Sequence, residues 1–150
     1  MKANKDDEFE LDNNLPPKIK PGKYEVMMKN YYTAMMYGGK APKLILDFVI
    51  VDQCKEFGSV IPKYYNALNL IGRPRKRGRF KVGKKSDFAR DFFDFIHCGT
   101  ARMDRLCVSH FEGIRFLAEI VTVKRARNRN IPEPLQYSKI GRLLKVVERR

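Results

Sequence analysis

The chain has 150 residues, with 31 lysines and arginines against 17 acids and a formal net charge of +14. Its 43% hydrophobic content is enough to bury one core, which excludes a disordered polycation and leaves little room for a second domain. The longest apolar run, Leu44 to Val51, contains Asp47 and is far shorter than the ~20 residues of a spanning helix, so no membrane association is expected.

Residues 1–20 read as a flexible acidic tail and residues 21–150 as one folded domain. Lys2 and Lys5 stand against Asp6, Asp7, Glu8, Glu10 and Asp12, so residues 1–15 carry −3 and the remainder +17. No apolar signal-peptide core follows Met1. Three cysteines (Cys54, Cys98 and Cys107) in no framework spacing fit a reducing compartment, so the cytoplasm is the expected location.

From residue 23 to 33, Tyr24, Val26, Met28 and Tyr32 alternate with Glu25, Met27, Lys29 and Tyr31, which predicts a first strand. Gly38-Gly39, Lys40 and Pro42 mark a turn. Leu44, Leu46, Phe48 and Ile50 then alternate with Ile45, Asp47, Val49 and Val51 as a second strand. A third runs from Ser59 to about Tyr65, and Pro62 within it argues for an edge position or a bulge. Residues 72–85 are basic and contain no acid. Ser86 can cap a helix that carries Phe88, Phe92, Phe95 and Ile96 on one stripe and ends at Gly99. A fourth strand is predicted over 114–123, a basic loop over 124–130, and a fifth strand within 136–147.

Five strands with one helix between the third and fourth is the element order of an OB-fold, an all-β, five-stranded Greek-key barrel. An SH3-like barrel or an α+β sandwich fits less well, because neither expects a helix there. The run from Pro21-Gly22-Lys23-Tyr24, through residues 44–51 and Ile61-Pro62-Lys63-Tyr64-Tyr65, to Gly78-Arg79-Phe80-Lys81-Val82-Gly83 resembles small OB-fold proteins of phages and integrative mobile elements. These are similar in role to single-stranded-DNA-binding proteins. The resemblance spans residues 20–148 in layout. It implies work in DNA replication or recombination, with replication or recombination proteins and further copies of the chain as partners.

Binding a single strand with little sequence preference takes cations along the backbone and aromatic faces under the bases. The cations fall in three groups: Lys40 and Lys43; the stretch from Arg73 to Lys85, with Arg75, Lys76, Arg77 and Arg79; and Lys124, Arg125, Arg127 and Arg129. In an OB-fold the first and third groups lie in the loops that line the groove. Neighbouring strand residues point to opposite faces. One ring of Tyr31-Tyr32 and one of Tyr64-Tyr65 should therefore face out, with Lys63 beside the second pair. Tyr37 and Phe80 are further candidates. Phe88, Phe92 and Phe95 are assigned to the core.

Cys98-x8-Cys107-x2-His110, with His97 and distant Cys54, lacks the paired-cysteine knuckle of a zinc site. Asp47, Asp52, Glu56, Asp91 and Asp94 show no convergent spacing for metal-dependent hydrolysis. No metal, cofactor or catalysis is expected. The expected function is non-catalytic binding of single-stranded DNA. Single-stranded RNA binding, or a basic adaptor docking an acidic protein, are the alternatives.

Overall fold

The computed structural model describes residues 17–96, 108–126 and 128–149. The tail acids, His97, Cys98, Gly99, Cys107 and Arg127 lie outside the described residues. Five long strands form one antiparallel sheet: β1 (Gly22–Met36), β2 (Ala41–Ile50), β3 (Val60–Asn66), β6 (Ile114–Val123) and β9 (Tyr137–Arg149). Their order across the sheet is β3-β2-β1-β6-β9. All five predicted strands are there. Two short hairpins not predicted from the sequence are also present, β4 (Asn69–Ile71) with β5 (Arg79–Lys81) and β7 (Arg125–Ala126) with β8 (Arg129–Asn130), the second within the predicted basic loop. One helix, α1 (Asp87–Asp91), continues into a π-helical turn at Phe92–Ile96. The Ser86 hydroxyl caps it, accepting from the Ala89 N–H at 3.2 Å. Among the described residues the architecture is all-β with one short α-helix.

A bulge resets the phase of β1. Met28 pairs with Phe48 and Asn30 with Asp47, so Lys29 is the extra residue. Val26 and Met28 face the core before it, Tyr31 and Thr33 after it. Simple alternation placed Tyr32 with Val26 and Met28; the bulge moves it to the opposite face. β9 carries three more register shifts, which leave Gly141, Leu144 and Val147 as extra residues. Its inward residues Ile140, Leu143 and Val146 are therefore spaced by three rather than two. Bulges bend a strand and increase its twist, and β9 curls round until it adjoins β3. There the Lys63 ammonium donates to the Gly141 carbonyl at 3.5 Å. Among the described residues no ladder joins β3 to β9, so hydrogen bonds do not close the sheet.

The core lies on the inner face. Phe88 of α1 packs edge-on to Tyr65 and Phe80, with ring centroids 5.3 and 5.5 Å away. Ile19 joins the same core, its N–H donating to the Ser138 hydroxyl at 2.8 Å, while the Ser138 N–H donates to the Pro17 carbonyl at 3.2 Å. Residues 17–19 thus pack with the folded domain.

Candidate nucleic-acid interface

Strand pairing sets out the outer face of β1, β2 and β3 row by row. Tyr32, Ile45 and Tyr64 stand in one row, with Asn30, Asp47 and Pro62 on one side and Ala34, Lys43 and Asn66 on the other. Ile45 points away from the core yet is only 3% exposed, which fits a residue flanked by two large rings. The Tyr64 phenol is held far above the usual tyrosine range. Burial is the main cause, and the nearby Tyr137, Tyr32, Asp47 and Tyr37 side chains add to it. Tyr137 is raised by burial and by Tyr37, and Tyr32 by burial and by Asp47. Four tyrosines from four segments therefore gather on one face: β1, the turn after it, β3 and the first residue of β9.

Tyr37 is the most open of them, 52% exposed at the tip of the β1–β2 turn. Tyr37, Gly38 and Gly39 have φ of 55°, 68° and 82°, three successive left-handed residues. Glycine tolerates this region, but tyrosine enters it at a cost. Lys43, hydrogen-bonded to the Asn66 side-chain oxygen, holds its ammonium 5.8 Å from the Tyr37 ring centre.

The central basic stretch is attached to this face as a short extra strand. β6 pairs with β1 only over residues 22–27, which leaves the edge of β1 beyond the bulge open. Residues 75–77 take that edge. The Thr33 N–H donates to the Arg75 carbonyl and the Arg77 N–H to the Tyr31 carbonyl, both at 3.0 Å, and Lys76 bridges to Tyr32. Gly78 makes the approach possible, since a β-carbon there would collide with the Thr33 hydroxyl. Cross-strand partners share a face, so exposed Lys76 lies beside Tyr32. Arg77 instead covers the Tyr31 ring, 5.2 Å from its centre, and pairs with Glu112 at 3.2 Å. Arg75 donates to the carbonyls of Ile71 and Arg73 at 3.3 and 3.0 Å and so holds its own loop. Arg73 and Arg79 are exposed at its ends.

Several sequence candidates turn inward. Tyr65 is 1% exposed, and its hydroxyl donates to Asp91 Oδ2 at 2.7 Å. Lys63, 7% exposed, lies 4.5 Å from the Tyr65 ring centre. Burial pushes its ammonium down in pKa, opposed by Asp91 and Asp87. Phe80 packs on Phe88 and Tyr31 on the core. Tyr32 and Tyr64 are the outward members of their pairs. Burial also raises the Asp91 pKa, while its hydrogen bond from Tyr65 acts the other way. Tyr65→Phe removes a donor from this buried carboxylate. It should cost about 1–3 kcal/mol in urea unfolding, with oligonucleotide binding unchanged.

The third cation group emerges where Val123 pairs with Tyr137. Lys124, Arg125 and Arg129 are exposed on or beside the β7–β8 hairpin, and the Arg125 guanidinium donates to the Asn128 carbonyl at 3.4 Å. Sequence reading missed Tyr137. Its signal was an aromatic residue at the start of the fifth strand, after the basic loop and its two prolines. Of the candidate acids, Asp47 lies on the tyrosine face, Asp52 accepts from the Glu25 N–H at 2.8 Å, and Asp91 accepts from Tyr65. Among the described residues no helix is long and apolar enough to cross a membrane. Compared with protein-family models, characterised proteins and solved structures, the chain matches none of them.

Proposed function

We propose that this protein binds single-stranded nucleic acid, DNA in the first instance, on the outer face of β1, β2 and β3. The observation that carries the reading is the gathering of Tyr32, Tyr37, Tyr64 and Tyr137, from four segments, between three groups of exposed cations. Half-buried rings held on strands offer preformed stacking surfaces, and every base has a face to place on them. A duplex keeps its base faces stacked inside, so this surface selects unpaired strands. Lys43 lies 5.8 Å from the Tyr37 ring centre, Lys76 bridges to Tyr32, and exposed Lys124 and Arg125 follow Val123, the partner of Tyr137.

The domain is then a partly open OB-type barrel. The order β3-β2-β1-β6-β9, the adjoining of β3 and β9, and a helix between the third and fourth long strands support this. The role is binding rather than catalysis, in the cytoplasm. The resemblance in layout to phage and mobile-element proteins supports a setting in DNA replication or recombination.

Matched single-stranded DNA, single-stranded RNA and duplex, titrated at two salt concentrations, test this reading. Single strands are expected to bind more tightly than duplex, and five neutralised phosphates give a slope of log K on log salt near about −3.5. Tighter binding of RNA would reassign the substrate. A flat salt response, or a preference for duplex, would contradict the reading and favour an acidic protein partner. Shortening of the oligonucleotide in magnesium or manganese would contradict the non-catalytic role.

A further inference from the structure

We propose that the cleft between residues 17–21 and the root of the 124–136 loop is a second nucleotide subsite, which takes the strand's backbone after it leaves Tyr137. This deepens, and rests on, the reading of the tyrosine face as the stacking platform. The cleft has a volume of about 590 Å³, within the roughly 300–1,000 Å³ of small-ligand sites. That is room for a nucleotide and too little for a duplex.

Both walls are fixed by hydrogen bonds. The first is held to β9 through Ser138, which accepts from the Ile19 N–H and donates to the Pro17 carbonyl. The second is closed by the Ile131 N–H donating to the Lys124 carbonyl at 2.7 Å, and by the Gln136 amide donating to the Ile131 carbonyl at 3.0 Å. Lys18, Lys20 and Lys124 line the space, with Thr122 and Gln136 as neutral polar groups, and Ile19 and Pro21 supply apolar surface for a sugar. Gln136 in the cleft directly precedes Tyr137, the first residue of β9, and Tyr137 points to the opposite side from its strand neighbour Ser138, which holds the Ile19 wall of the cleft. A strand stacked on Tyr137 therefore reaches the cleft by turning over the rim of the sheet.

The one acid in the lining accounts for the unbound state. Glu133 meets Lys18 at 3.7 Å with its side chain 84% exposed. A pair this open is worth little, so a phosphate can displace it. Lys18 is then an anion site that the protein itself occupies weakly.

The test uses the full chain with two oligothymidylates, one just long enough to cover the four tyrosines and one several nucleotides longer. Lys18→Ala combined with Lys20→Ala should leave the short oligomer's affinity unchanged. It should weaken the longer one about tenfold and shrink its salt slope by about 1.4, or two phosphates' worth. Glu133→Gln should tighten the longer oligomer about threefold and leave the short one unchanged, which a general charge effect would not do. Equal effects on both lengths, or no effect on either, would overturn the subsite. If neither oligomer binds the unmodified protein, the tyrosine-face reading fails, and titration with thymidine 3′,5′-bisphosphate tests the cleft alone. Amide shifts confined to Thr122, Lys124 and Gln136 support the cleft, and their absence overturns it.

Discussion

Replacing Tyr64 and Tyr137 together by alanine is expected to weaken single-strand binding by about 2–6 kcal/mol, or two stacking contacts at about 1–3 kcal/mol each. The salt slope should not change, because neither residue carries charge to a phosphate. Tyr64 pairs with Ile45 of β2 and Tyr137 with Val123 of β6 through main-chain hydrogen bonds, which alanine also makes, so the ladders persist in the variant. Tyr64→Phe separates ring from hydroxyl. The phenol is held protonated far above the ordinary range, so it offers no charge in either variant, and the phenylalanine protein should bind within about threefold of the original. Full affinity in a natively folded double-alanine variant would mean that bases do not stack on this part of the face.

Phe88→Ala is expected to lower stability by about 3–5 kcal/mol, the range for losing a buried aromatic residue. Phe88 is fully buried, and its ring lies 5.3–5.7 Å from those of Tyr65, Phe80 and Phe111. It therefore links α1 to β3, to β5 and to the turn before β6. Domains of this size are stable by only about 5–15 kcal/mol, so the variant should unfold at much lower urea and lose binding as it unfolds. A loss below about 1 kcal/mol would show that α1 contributes little to the core.

Much of this fold was legible in the sequence because it follows from period-two alternation. Leu44, Leu46, Phe48 and Ile50 all face the core, as do the alternate residues of β6, and Ser86 caps its helix. What alternation did not give is the bulges. Lys29 in β1 reverses the phase that alternation gave to Tyr31 and Tyr32. Gly141, Leu144 and Val147 give β9 a spacing of three, unlike that of a regular strand. A bulge depends on how two strands meet, and one strand's sequence seldom carries its mark.

The candidate site was half legible for a similar reason. Tyr32, Tyr37, Tyr64, Lys40, Lys43, Lys76 and Lys124, singled out for charge or aromatic content, stand at exposed or half-buried positions. Composition could not separate Lys76, on the outer face, from Arg75 and Arg77, which hold the loop. That division follows from residues 75–77 lying against the edge of β1, a contact 42 residues apart in the chain between Thr33 and Arg75. Lys63 and Tyr65 looked like groove residues until their partner Asp91 placed them inside. Tyr137 joins the cluster only because β9 curls round to β3.

The central claim is that bases lie on the four gathered tyrosines, and photochemical cross-linking tests it most directly. An oligothymidylate substituted with 5-iododeoxyuridine, bound and irradiated at a wavelength the protein does not absorb, reacts with aromatic rings stacked on the base. Peptide mapping should place the adducts on Tyr37, Tyr64 and Tyr137, with Tyr32 as the fourth site, and none on Tyr65 or Phe80. Adducts confined to other residues, under conditions where the oligonucleotide binds with a steep salt dependence, would contradict the account and move the binding face elsewhere on the protein.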